Sequence, residues 1–183
     1  MVSSLLDIPT LAQSIGLKRG ALVNRLDLLQ QTFILHTMAP YYTNKVKELT
    51  KNPKVYLVDT GLRNTLLQHF ELTPHTQEFG NAVENTVMTE LYKHKDSLTD
   101  IYYWRTKNKQ EVDFVVKHEN TLVPFEVKSG TAVKVPSPLQ SFIRMYHPKN
   151  AVVLNWSRIE TVPYEDTNVY FRPLWWQGKV ALT

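Results

Sequence analysis

Glu111-Val112-Asp113-Phe114-Val115-Val116, followed after a short gap by Pro124-Phe125-Glu126-Val127-Lys128-Ser129-Gly130, is the stretch whose residue types and spacing could do chemistry. At the two-residue period of a strand, the first run puts Val112, Phe114 and Val116 on one face and Glu111 and Asp113 on the other. In the second run Val123, Phe125 and Val127 lie opposite Glu126 and Lys128. Carboxylates and an amine therefore converge on one face of an expected hairpin. A face that only had to be soluble would accept almost any polar residues. Phosphodiester hydrolysis instead needs hard oxygen ligands for a divalent cation and a fixed positive charge near the scissile phosphate, and this spacing supplies both.

A further carboxylate, Glu84, falls in the first turn of a helix expected over residues 81–95, whose apolar stripe is Val83, Val87 and Leu91 with Met88 beside it. Three residues before Val87, four before Met88 and seven before Leu91, it shares the face that should pack on a sheet. An acid there is costly without a partner. A metal or Lys128 could be that partner, or the helix N-terminus could favour the charge.

The elements that must position these groups can be traced along the chain. Residues 9–31 predict two short helices, with Pro9 in a first turn, a stop at Gly16, and Leu22, Val23, Leu26 and Leu29 on the second. Strands are expected at 32–37 and 54–58, separated by a loop rich in Lys and Asn that carries Lys45 and Lys47. Helix, turn, helix and two strands with a basic loop make a winged helix-turn-helix, the alternative being a helical hairpin used only for packing. After Asp59-Thr60-Gly61 come a helix to about residue 70 and the longer helix carrying Glu84. Strands follow at 101–105, 111–117 and 122–128, then a helix at 138–146 and a buried strand at 151–154. A strand at 169–176 is expected at a sheet edge, because Pro173 cannot donate in a central ladder. The fold class is α/β, with a winged helix at 1–58 and a second domain at 59–183.

Composition narrows the partners. With 183 residues, 43% of them hydrophobic, the chain can bury one sizeable core or two small ones. It has no cysteine, which removes disulfide frameworks, thiol nucleophiles and cysteine-ligated zinc. No signal pattern or membrane span is legible, so a soluble, cytoplasmic protein is expected. The net charge of +4 is localised: residues 1–63 hold eight Lys and Arg against four Asp and Glu, while residues 64–183 hold thirteen of each. That asymmetry points to an anionic partner or to an ordinary solvated surface; the expected partner is DNA, met by Lys18, Arg19 and Arg25 on the presumed recognition helix and by Lys45 and Lys47 in the loop.

Glu84, Asp113 and Glu126-Val127-Lys128 together resemble the helix-Glu, Asp and (E/D)xK elements of PD-(D/E)xK nucleases, a superfamily that includes restriction endonucleases and Holliday junction resolvases. Lys54-Val-Tyr-Leu-Val-Asp-Thr-Gly-Leu62, Gly80-x-x-x-Glu84-Asn85, Tyr103-Trp104-Arg105, Glu111-Val-Asp113-Phe114 and Glu126-Val-Lys128 resemble the ordered motifs of an uncharacterised domain family found C-terminal to AAA-type ATPase domains in bacteria and archaea. The resemblance implies a nuclease-like mixed sheet flanked by helices in the second domain. It implies that Asp113 and Glu126 ligate Mg²⁺ or Mn²⁺, that Glu84 assists directly or through water, and that Lys128 positions water or stabilises charge on the phosphate. The Val127 carbonyl is an additional candidate ligand. One departure is that Val112, rather than Pro, precedes Asp113. The implied function is metal-dependent cleavage of DNA by the C-terminal module of an ATPase. The alternatives are a catalytically inactive recognition or regulatory module and a dimerisation domain.

Asp59-Thr60-Gly61 matches the aspartic-protease triplet but stands alone, with a helix directly after it. The six histidines lack metal-ligand spacing and read as surface or turn residues. Tyr102, Tyr103, Trp104, Trp156, Trp175 and Trp176 could stack on bases but read more simply as core or contact aromatics, the last two as an apolar tail able to support a homo-oligomer. No Gly-x-x-x-x-Gly-Lys-Ser/Thr is present, so an ATPase site is expected upstream or on a partner chain. The direct entry into a helix-turn-helix favours a piece of a longer protein.

Overall fold

The computed structural model describes residues 4–42, 52–71 and 73–176. The chain runs through β1 (Ser4–Leu5), α1 (Ile8–Ser14), α2 (Arg19–Gln31), β2 (Leu35–Met38) and β3 (Lys54–Leu57). It continues with α3 (Thr60–Leu67), α4 (Gln77–His94), β4 (Thr99–Arg105), β5 (Glu111–His118) and β6 (Thr121–Val127). It ends in α5 (Ser137–Tyr146), β7 (Asn150–Asn155), β8 (Glu160–Tyr164) and β9 (Thr167–Pro173). Lys45 and Lys47 lie outside the described residues.

The helices begin where side chains can occupy the free amides of a first turn. Asp7 accepts from the Thr10 amide at 2.9 Å, and Asp59 accepts from the Leu62 amide at 2.6 Å. The Asp-Thr-Gly triplet is thus a helix cap. Thr76 accepts from the Phe79 amide, so α4 starts at Gln77, four residues before the expected start. Glu84 is consequently two turns into the helix, beyond the reach of the N-terminal end effect.

β1, β3 and β2 form an antiparallel sheet in that order beside α1 and α2. A six-stranded mixed sheet has the order β4-β5-β6-β7-β9-β8, with β6, β7 and β9 parallel and the other pairings antiparallel. Both faces of this sheet are covered. On the α5 side Trp104, Val112, Val115, Val153 and Phe171 pack with Leu139, Phe142 and Ile143. On the α4 side Phe114, Val116, Val123, Phe125 and Val152 pack with Val87, Met88, and Met38 and Tyr56 from β2 and β3. Burial on both faces explains why β7 reads as a continuous apolar run.

Two expectations are corrected, and two strands were not expected. The strand ending at Pro173 is internal, between β7 and β8, because Pro173 lies past Phe171, which pairs with the first residue of β8, and owes that strand no hydrogen bond. β1 and β8 carry no strong strand pattern, and their pairing partners decide them. Val112 does not share a face with Phe114 and Val116. Tyr102 pairs with Val115 but Trp104 with Val112, so Asp113 and Phe114 together oppose Tyr103 in a β-bulge.

Candidate active site

The bulge positions the chemistry. Because Val112 faces α5 and the strand alternates there, Asp113 turns toward α4, where it meets Glu84. α4 supplies Gly80, Asn81 and Glu84 from its first turns, and the end of β6 supplies Val127, Lys128 and Ser129. These residues and Asp113 line a cleft of about 340 Å³, with His75, Thr76 and Gln77 at one side. Glu84, Asp113, Val127 and Lys128 therefore meet as the sequence predicts. Glu126 is not in the lining: it is 3% exposed and lies behind Lys128, whose ammonium donates to its Oε1 at 2.7 Å.

Sequence reasoning missed the cation at the centre of the cluster. Lys54, on β3 and 2% exposed, donates to Glu84 Oε1 at 3.0 Å and lies 2.5 Å from Glu111 Oε1. Tyr56 Oη donates to the same Glu84 oxygen at 2.6 Å, and Arg105 Nη1 holds Glu111 Oε2 at 2.7 Å. Burial alone would depress the Lys54 amine, yet Glu84, Glu111 and Asp113 outweigh it and hold its pKa raised. The available signal was Lys54-x-Tyr56: two polar groups at the strand period in an otherwise apolar run. The partner expected for Glu84, a metal or Lys128, is in this structure Lys54 with Tyr56.

Four carboxylates, Glu84, Glu111, Asp113 and Glu126, thus meet three cations, Lys54, Arg105 and Lys128. The excess negative charge falls on Asp113. Its Oδ2 accepts from the Val127 amide at 2.7 Å, and among the described residues no cation lies within ion-pair distance of it. Burial, then Glu126 and Glu84, push the Asp113 carboxyl well above its ordinary range against the opposing pull of Lys54 and the Val127 amide. Burial also raises Glu126, opposed mainly by Lys128. Lys128 itself is raised, because Glu126, Asp113 and Glu84 outweigh its burial.

This donor set fits a hard divalent cation at Asp113 and Glu126. Among the described residues Asp113 makes no direct ion pair, and Glu126 Oε2 is a buried oxygen without a hydrogen-bond partner. Glu84 Oε1 is already taken by Lys54 and Tyr56. No group of three or more His, Cys, Asp or Glu side chains among the described residues is arranged to hold a metal unaided.

The candidate nucleic-acid residues Lys18, Arg19 and Arg25 are exposed on or next to α2. His36 departs from the surface role expected of it: it is buried in β2 and stacked on Tyr92 at 3.4 Å. Tyr103 and Trp104 are core, whereas Trp156 and Trp175 are exposed and Trp176 packs partly on the α4-side core. No helix among the described residues is long and apolar enough to cross a membrane.

A family model described as a domain of unknown function (DUF4143) matches residues 79–174, which include every residue of the acid and Glu-x-Lys pattern. That domain is commonly found C-terminal to AAA ATPases. A second domain of unknown function (DUF8612) matches residues 1–73. The chain is 26% identical over 133 residues to "Uncharacterized protein Rv2008c" of Mycobacterium tuberculosis and equally to "Uncharacterized protein Mb2031c" of Mycobacterium bovis. Each match covers 72% of this chain and 30% of the relative, so the chain spans under a third of their length. No solved structure gives a significant match.

Proposed function

The chain belongs to the DUF4143 family, a domain of unknown function, and on that premise we propose that it is a metal-dependent phosphodiesterase acting on DNA. The observation that carries the reading is Asp113, re-aimed by a bulge into a polar cleft beside Lys128 and, among the described residues, with no cation at ion-pair distance. In this reading the six-stranded sheet with α4 and α5 is a PD-(D/E)xK nuclease-like fold, and the helix pair with the β1-β3-β2 sheet is a winged helix.

Asp113 and Glu126 would hold Mg²⁺ or Mn²⁺, with the Val127 carbonyl as a further oxygen donor. When bound, the ion supplies Lewis acidity and a more acidic water. Lys128 is kept protonated by Glu126 and presents a fixed positive charge at the cleft wall, where negative charge would grow on a phosphate. Lys54 and Tyr56 fix the Glu84 carboxylate, so it enters the cleft already oriented. On α2, Lys18 and Arg19 sit at a helix start, where positive charge is disfavoured and no side-chain cap is made. A phosphate partner would offset that cost. An ATPase module, upstream or on another chain, would control access.

A second reading rests on Lys54. A buried ammonium already offsets much of the acid cluster, as in a nuclease fold retained for recognition or for regulating an ATPase. Calorimetric Mn²⁺ titration beside cleavage assays on linear, single-stranded and branched DNA separates the two. The first reading expects wild type to bind Mn²⁺ and cleave, Asp113→Ala to do neither, and Lys128→Ala to bind the ion but cleave slowly. Absence of binding at millimolar Mn²⁺ in wild type would sink it, and binding without cleavage would favour the second.

A further inference from the structure

Beside the cleft the chain exposes a large aromatic surface that the acid cluster does not use. Trp156, in the turn after β7, is 51% exposed, and its ring centroid lies 6.2 Å from that of Phe79 at an interplanar angle of 52°. Phe79 immediately precedes Gly80, a cleft residue. The Trp156 amide donates to Gly130 O at 3.1 Å, which ties the indole to the segment directly after cleft residues Lys128 and Ser129.

The turn that carries Trp156 is held on several sides. Ser157 and Thr131 hydroxyls are 3.0 Å apart, and Arg158 Nη1 donates to Ala132 O at 3.2 Å and Val133 O at 2.6 Å. Asn155 Oδ1 accepts from the Ser157 and Arg158 amides at 3.2 and 2.7 Å. A tryptophan on a turn fixed in this way is a preorganised flat surface, so little conformational entropy is lost when a ligand settles on it.

We propose that Trp156, backed by Phe79, is a stacking subsite for an unpaired nucleobase of the strand whose phosphate occupies the cleft. The proposal rests on the phosphodiesterase reading above and adds a substrate class to it: single strands, overhangs or frayed ends. A nucleotide joins an anion to a planar aromatic ring, and here the Lys128 ammonium at the cleft wall adjoins an exposed aromatic ledge. Bases inside an intact duplex are stacked on each other and cannot settle on the ledge.

The test is fluorescence anisotropy with the full chain in EDTA at low salt, where no cleavage occurs. The probes are end-labelled oligothymidine, oligouridine and a blunt DNA duplex. Loss of one stacked base corresponds to roughly 5- to 150-fold in affinity. Trp156→Ala and Trp156→Leu are expected to lose that much for single strands while duplex affinity moves by no more than about twofold, and Trp156→Phe, which keeps a π face, retains most of it. Comparing oligothymidine with oligouridine assigns the base to DNA or RNA. Circular dichroism and thermal melting identify any variant that misfolds, in which case the Leu and Phe pair decides. Unchanged single-strand affinity in both Trp156→Leu and Trp156→Ala overturns the ledge, even if wild type binds and cleaves. A shift in sedimentation without loss of affinity reassigns the ring to a protein contact and also overturns it. Wild type that binds none of the probes either in EDTA or with Ca²⁺, which can fill the acid site without supporting cleavage, removes the phosphodiesterase reading and this proposal together.

Discussion

Lys54 and Asp113 hold opposite ends of one charge balance. Replacing Lys54 by Met would leave the half-buried Glu84 with only Tyr56 and Glu111 with only Arg105. Removing one partner of a fully buried pair costs about 3 to 5 kcal/mol, and because both acids keep some solvent and Arg105 still holds Glu111 the loss in urea unfolding should fall below about 3 kcal/mol. Asp113 works the other way. Its native pKa is raised above an unfolded value of about 3.9, so its contribution to stability is complete below that value and is lost as pH rises through the native one. Metal-free Asp113→Asn should lack that decline and exceed wild type in stability at the alkaline end of the series, with Mn²⁺ stabilising wild type alone. Parallel pH-dependent curves for the two proteins, without the ion, would contradict this account.

At the scale of elements, the site depends on how β3 is fastened to α4. Asn85, fully buried, accepts from the Leu57 amide at 3.0 Å and donates to the Leu57 carbonyl at 2.9 Å. Its amide thus pairs with β3 beyond the end of the two-residue β1, as a neighbouring strand would. Asn85→Ala strands two buried backbone groups, each costing about 1 to 3 kcal/mol, and should lower stability accordingly. Because Lys54 and Tyr56 lie on the same strand, it should also weaken Mn²⁺ binding. A variant that loses stability but binds Mn²⁺ as wild type does would show that β3 has no part in aligning the acids.

At the scale of the molecule, the exposed positive charge of the first helices and the acid cluster lie on different elements. Lys18 and Arg25, seven residues apart, fall on one side of α2 with Arg19 adjacent, while the acid cluster lies between β3, α4 and the six-stranded sheet. Neutralising Lys18, Arg19 and Arg25 together should weaken DNA binding without regard to sequence and reduce the salt slope by about 0.9 for each lost phosphate contact. Measurement of the binding constant across a salt series checks this. An unchanged slope would place the DNA surface elsewhere.

The sequence alone determined most elements of the fold and the types of residue at the site. Helical and strand periods are local consequences of burying one face, so α2, α5, β5, β6 and β7 were legible within a few residues of their ends. The Glu84, Asp113 and Glu126-Val127-Lys128 pattern was legible for the same reason, since spacing along strands and helices sets which side chains can meet. Only the tertiary structure decided the rest. The bulge at Asp113 exists because β4 pairs with β5 on both sides of Tyr103, a match between two strands that neither sequence run encodes by itself. The internal place of β9 follows from where β8 ends its pairing, and the pairing of β8 follows from its neighbour rather than from its own composition. Lys54 became the partner of Glu84 because a buried charge must find its opposite wherever the fold brings one within reach, thirty residues away along the chain.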